Sequence, residues 1–161
     1  MTLEEIKYCL RCGTPLTDAI RFGQLRRVCP ACDWIYFADP KVAAAILIEQ
    51  DNKVLLVRRA IDPGRGQWTL PAGFVDAGED PAMAAERECL EETGLQVQAT
   101  DLITVLFGQE HPRGAHIIIF YRGILIGGQA TPADDVDEVG FFAREELPTL
   151  AFRTTIQVLE K

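Results

Sequence analysis

A chain of 161 residues, 48% hydrophobic and 25% charged, is long enough for one core-bearing domain with a small appendage. Its formal net charge of −8 argues against general nucleic-acid binding, which needs Lys and Arg to neutralise phosphates. No apolar run approaches the roughly 20 residues of a membrane span, and the acidic start MTLEEIKYC lacks the basic-then-apolar order of a secretory leader. A cytoplasmic protein with no membrane partner is expected. Residues 1–40 are balanced, five basic against five acidic, so the negative charge belongs to the remainder.

The chain opens with two CxxC pairs, Cys9-Leu-Arg-Cys12 and Cys29-Pro-Ala-Cys32, with 16 residues between them. Four thiolates at that spacing suit tetrahedral Zn²⁺. Four protein ligands leave no open position, so this zinc is expected to be structural. Gly13 suits the tight turn after Cys12, and the alternation over residues 21–28 predicts strands of a zinc ribbon spanning residues 1–38. Two disulfides are the alternative, disfavoured where thiols stay reduced. So short a segment cannot fold on apolar burial alone, and the metal supplies the deficit.

Asp39-Pro40 marks the boundary to a larger domain, residues 39–161. Residues 42–49 predict a buried strand, Asp51-Asn52 a turn, and residues 53–59 its partner strand. Residues 62–66 read as a loop and 68–71 as a short extended piece. Asp80 followed by Pro81 predicts a helix start, and Gly94 ends that helix after about Thr93. Its apolar side is expected to hold Ala82, Met83, Ala85, Cys89 and Leu90, with Cys89 a small buried residue. Further strands are expected over residues 116–126 and 136–142, and a closing helix over 154–159. The interleaving predicts an α/β sandwich with a mixed sheet.

On that helix Glu88, Glu91 and Glu92 lie three and four residues apart and share an arc of roughly 100°. Like charges at that spacing repel, and several hard oxygens on one face suit Mg²⁺ or Mn²⁺. Gly73, lacking a Cβ, lets the backbone approach a ligand and offer its carbonyl. The frame from Gly73 to Leu95, GFVDAGEDPAMAAERECLEETGL, resembles the Nudix box, Gly-x5-Glu-x7-Arg-Glu-U-x-Glu-Glu-x-Gly-U with U a bulky apolar residue. Gly73, Glu79, Arg87, Glu88, Glu91, Glu92, Gly94 and Leu95 match, and Cys89 departs at one apolar slot. The segments VLLVRR (54–59), GQWTLPAGF (66–74) and residues 139–142 also stand where family members have comparable ones.

The resemblance implies a Nudix-type α/β/α sandwich that hydrolyses a nucleoside diphosphate linked to another moiety. It implies Glu88 and Glu92 as main Mg²⁺ or Mn²⁺ ligands, Glu91 as a further ligand, and the Gly73 carbonyl as another. Arg87 and Glu79 become an orienting pair. The proton acceptor for the attacking water is Glu88 or a carboxylate of residues 134–138, Glu138 among them.

A CxxC ribbon before such a domain is also similar to the NADH pyrophosphatases. Those carry a Ser-Gln-Pro-Trp-Pro-Phe-Pro-like array after the box, where this chain has FGQEHPRG. Pro112, with 16 residues between it and Leu95, resembles the proline of ADP-ribose pyrophosphatases. ADP-ribose is therefore the expected substrate, FAD next and NADH third. Arg58, Arg59, Arg65 and Arg113 are candidates for phosphate. Phe37, Trp68, Phe107 and Phe152 are candidates for a base, and His111 for a further contact. The alternatives from other classes are a nucleotide-sugar sensor and a nucleic-acid finger built on Arg11, Arg21, Arg26 and Arg27. The intact carboxylates argue against the first and the balanced ribbon charge against the second. The ribbon is expected to pack on the catalytic domain or on a homodimer mate.

Overall fold

The structure, a computed structural model, describes residues 6–108 and 114–160. The chain divides into two units, Met1–Pro40 and Lys41–Lys161.

In the first unit, β1 (Thr17–Arg21) and β2 (Gln24–Val28) form an antiparallel hairpin registered from Thr17↔Val28 to Arg21↔Gln24. The hairpin thus begins at Thr17, four residues before the expected strand region. Phe22 and Gly23 close it with φ of 52° and 73°, the left-handed pair that a two-residue turn between twisted strands requires. The buried apolar residues among those described here are Cys9, Leu16, Val28, Cys29 and Tyr36, with Ile6 and Trp34 packed against the Cys9, Leu16 and Cys29 cluster. That is too little apolar surface to hold such a unit unaided.

The second unit is built on a sheet ordered β5-β4-β3-β8-β7, with β6 added to β3 and β9 added to β4. The strands are β3 (Val42–Gln50), β4 (Lys53–Arg59), β5 (Trp68–Thr69), β6 (Ala72–Phe74), β7 (Leu95–Phe107), β8 (Ile117–Gly128) and β9 (Val136–Ala143). The β3–β8 pair is parallel and the remaining pairs antiparallel, so the sheet is mixed, as the element pattern predicts. Helix α1 (Pro81–Thr93) covers one face and α2 (Arg153–Leu159) the other. Along β3, Ala44, Ile46 and Ile48 join the α1 cluster, while Ala45 and Leu47 join the α2 cluster. Both faces being covered is why β3 reads as a continuous apolar run rather than an alternation.

Two sequence expectations need correction. Met83 and Leu90 are exposed, while Ala85 and Cys89 are buried as expected, joined by Ala84, Glu92 and Thr93. The inner face of α1 is narrow and accepts small residues, because Glu88 and Glu92 take the positions beside it. The 13-residue strand β7 also escaped the reading, although Leu95, Val97 and Ala99 alternate with polar neighbours. Register shifts at Gln96/Val97, Ala99/Asp101 and Leu102/Thr104 destroy the period of two beyond that point.

The ends of α1 behave as their residues dictate. The Asp80 carboxylate accepts from the Ala82 amide at 2.8 Å, and Gly94 takes φ of 69° with its amide on the Leu90 carbonyl at 2.8 Å. A Cβ on Gly94 would come within 2.8 Å of the Gln129 carbonyl. Gly94→Ala is expected to cost at least about 1 kcal/mol, through φ strain and that contact, read from urea unfolding midpoints.

Candidate functional site

A cleft of about 690 Å³ opens in the second unit, and Gly73, Arg87, Glu88 and Glu92 line it. Strand β6 brings Gly73 against α1 so closely that a Cβ there would fall on the Glu88 carboxylate. Only glycine fits. Glu92, a turn further on, is 2% exposed and accepts from the Ala72 amide at 3.1 Å. Glu88 is 13% exposed at its side chain, whereas Glu91 is 50% exposed and points away from the cleft lining.

Arg87 ties these groups to the loop before the helix. Its Nε and Nη2 donate to the two oxygens of Glu79 at 2.8 and 3.0 Å, a bidentate fork. Nη1 donates to Glu88 at 2.7 Å and Glu91 at 3.0 Å, and Nη2 also reaches the Phe74 carbonyl at 3.0 Å. Glu79 in turn accepts from the Asp76 amide at 3.0 Å. The Arg87 guanidinium and then that amide hold the Glu79 carboxyl down at about 2. Burial pushes Glu88 up, with Arg87 opposing. Burial pushes Glu92 well above the usual carboxylate range, and neighbouring Asp135 and Glu88 add to the shift. A buried carboxylate beside others, with hard oxygens facing a cleft, is the donor chemistry of Mg²⁺ or Mn²⁺. Glu88, Glu92 and the Gly73 backbone are the groups that would hold such an ion.

Other candidates from the sequence scatter. Arg59 lines the cleft with its Nε on the Pro63 carbonyl at 2.6 Å, 3.6 Å from Asp135, and 5.4 Å from the Phe152 ring centroid. Arg58, one residue before, leaves on the other side of β4. It pairs with Asp137 at 2.7 Å and Glu138 at 2.6 Å, and neither Arg58 nor Glu138 lines the cleft. Glu138, opposite Arg58 in register, is held by that ion pair, and Asp134 and Asp135 are the carboxylates of residues 134–138 that line the cleft. Of the four aromatic candidates only Phe152 lines the cleft. Trp68 is buried edge-on against Phe142 at 4.6 Å, Phe107 is exposed, and Phe37 stacks on Phe22 in the first unit. His111, Pro112 and Arg113 lie outside the described residues. Thr69, Thr154 and Thr155, also in the lining, carry no local sequence signal that would have found them.

In the first unit the four thiols converge, all Sγ atoms within 4.8 Å of one another. Cys9–Cys32 and Cys12–Cys32 are 3.7 Å apart and Cys12–Cys29 3.5 Å. Zn–S bonds of about 2.3 Å in a tetrahedron would put sulfurs about 3.8 Å apart, so the cluster fits zinc. Each CxxC makes the same knuckle. The Cys9 amide donates to the Thr14 carbonyl and the Gly13 amide back to Cys9, while Cys29, Trp34 and Asp33 repeat the pattern. Gly13 and Asp33 take φ of 73° and 54° at equivalent places.

Comparison with known proteins places this geometry. Residues 39–160 match the NUDIX domain family. An ADP-ribose pyrophosphatase of Methanocaldococcus jannaschii is 41% identical over 117 residues, 72% of this chain and 69% of that one. A NAD-capped RNA hydrolase NudC of Chromobacterium violaceum is 28% identical over 151 residues, 93% of this chain; the chain spans 55% of that protein's length. A NUDIX hydrolase structure from Nitrosomonas europaea superposes with a TM-score of 0.87 at 35% identity, covering 96% of this chain and 89% of that one. The chain belongs to the Nudix family, as a hydrolase acting on a phosphoanhydride bond.

Protein purified without chelator is expected to carry about one zinc per chain by elemental analysis, lost on Cys9→Ser. For Glu92, a folded-state pKa above the ordinary 4.5 means that protonation favours the folded form. Metal-free protein should therefore lose stability as pH rises from about that value through the raised one. In EDTA at pH 8, Glu92→Gln is expected to melt above wild type, with the difference shrinking as pH falls toward 4.5. The same variant should lose its Mg²⁺-induced stabilisation and at least about 100-fold in turnover. Melting curves with and without Mg²⁺, beside steady-state rates, check both.

Proposed function

We propose that the protein hydrolyses a nucleoside diphosphate linked to a second moiety, with ADP-ribose its foremost substrate and AMP and ribose 5-phosphate its products. The observation that carries this reading is the 41% identity with an ADP-ribose pyrophosphatase across the carboxylate-bearing domain. In this reading residues 39–161 are the catalytic domain, and residues 1–38 a ribbon held by structural zinc on Cys9, Cys12, Cys29 and Cys32.

Glu88 and Glu92 hold the divalent cation, with Gly73 offering its carbonyl and Glu91 a more distant carboxylate. A cation there neutralises charge on the phosphate oxygens and lowers the pKa of the attacking water. Arg87 acts through others: its fork on Glu79 and its bond to the Phe74 carbonyl fix strand β6, which carries Gly73, and the loop that follows it. Water adds to one phosphorus, the bridging P–O bond breaks, and a cleft carboxylate accepts the water's proton. Glu88, Asp134 and Asp135 are positioned in the cleft for that role, whereas Glu138 is engaged by Arg58. Arg59 supplies the cationic side of the cleft.

A second reading has its own support. The NudC alignment covers 93% of this chain and so reaches the cysteine segment, favouring a nicotinamide dinucleotide as the diphosphate carrier. A product assay over ADP-ribose, FAD, NADH, NAD, NAD-capped RNA, diadenosine polyphosphates and nucleoside triphosphates separates the readings. AMP with ribose 5-phosphate, at a kcat/KM at least about tenfold above the others, is the expected outcome. NADH or NAD-capped RNA leading that series moves the assignment to the second reading.

A further inference from the structure

The cleft contains a polar pair that the hydrolytic chemistry leaves unused. Thr69 on β5 and Thr155 on α2 are 6% and 2% exposed, both line the cleft, and their hydroxyl oxygens are 3.0 Å apart. Two hydroxyls joined by one hydrogen bond use one hydrogen, and the second remains to be donated. Both oxygens also keep lone pairs. A buried hydroxyl with an undonated hydrogen is costly unless something entering the cleft completes it.

The surroundings say what that something is. Ala45, Leu70 and Phe120 give the cleft an apolar floor on the α2 face of the sheet. Phe152 stands in the same lining, with the Arg59 guanidinium held near its ring. Arg59 pairs with Asp135, and both act electrostatically on Glu92, which ties this end of the cleft to the carboxylates. A flat heteroaromatic ring with acceptor and donor atoms along one edge matches an apolar floor, an aromatic wall and a hydroxyl pair. A ribose phosphate, all hydroxyls and charge, does not match an alanine and leucine floor.

We infer that the Thr69–Thr155 hydroxyl pair is a specificity determinant that hydrogen-bonds the nucleobase of the substrate, in a recess floored by Ala45, Leu70 and Phe120. The inference rests on the diphosphate-linked nucleoside reading above, and it further assigns which half of the substrate enters this end. Thr69 and Thr155 then contribute to selection and not to the reaction at phosphorus.

The test is product binding, which needs no turnover. AMP and ribose 5-phosphate are titrated calorimetrically into full-length protein with Mg²⁺, for wild type, Thr155→Val and Thr69→Val. Melting temperatures of all three are measured alongside. Each valine keeps the side-chain shape and removes the hydroxyl. AMP affinity is expected to fall about tenfold in each variant, with ribose 5-phosphate affinity unchanged. A purely structural pair would lower melting temperature and leave the ratio of the two affinities as in wild type, which overturns the proposal. So would a selective loss for ribose 5-phosphate, or no AMP binding by wild type. Failure of the substrate reading is seen separately, as wild type that binds AMP yet does not cleave ADP-ribose.

Discussion

Burying an ionised carboxylate costs on the order of several kcal/mol unless opposite charge or hydrogen bonds meet it, and Glu92 is 2% exposed with the Ala72 amide as its hydrogen-bond partner. Much of the catalytic unit is arranged around that expense. Helix α1 presents small residues inward so that it can lie close to β6, and the closeness aims Glu88 and Glu92 at one space. A side chain at Gly73 would displace the Glu88 carboxylate, which occupies the volume of its absent Cβ. Arg87 on Glu88 and Arg59 beside Asp135 relieve the repulsion around Glu92 only in part, since burial and the neighbouring carboxylates still push its carboxyl up. A carboxylate cluster left partly uncompensated suits a cation that arrives from outside.

Arg87 has the opposite character, since it is over-satisfied. Its guanidinium donates to Glu79, Glu88, Glu91 and the Phe74 carbonyl, a set that requires a planar fork with several fixed donors. A lysine has the charge but cannot bridge a carboxylate bidentately while reaching a backbone oxygen. Arg87 thereby ties β6 and the loop after it to α1, and it lines the cleft beside the carboxylates it holds. A zinc ion on the cysteine cluster would do for the first unit what apolar burial does for the second. The apolar packing of Ile6, Leu16, Val28, Trp34 and Tyr36 stands there beside four thiols whose separations match one tetrahedral ion.

Local rules made a large part of this legible in the sequence. Asp80, Pro81 and Gly94 mark both ends of α1 through chemistry confined to a few residues, whereas the contact of Arg87 with Glu79 is implied only by the resemblance to the Nudix box. The two CxxC knuckles are equally local. What escaped depends on partners far along the chain. Thr69 and Thr155 meet across 86 positions, and neither has a neighbour that predicts it. Glu138 is next to Asp137 and near Asp135 in sequence, but its register opposite Arg58 decides which way it faces. Strand β7 hides behind three shifts of register, and Met83 and Leu90 look like core residues until the inner helix face is seen to be shared with carboxylates.

The parallel pairing of β3 with β8 bears on how the chain is made. β1 and β2 meet through a two-residue turn, so that hairpin needs only its own residues and can close while synthesis continues. Val42 pairs with Ile117, so the strand at the middle of the sheet emerges long before the neighbour that seals one of its edges. Between those moments a strand whose residues 42–48 are all apolar has an open side, and the loop that must close is among the longest in the unit. The nascent catalytic unit is therefore most vulnerable to mispairing with other chains before residue 117 leaves the ribosome, and least so once β8 has docked.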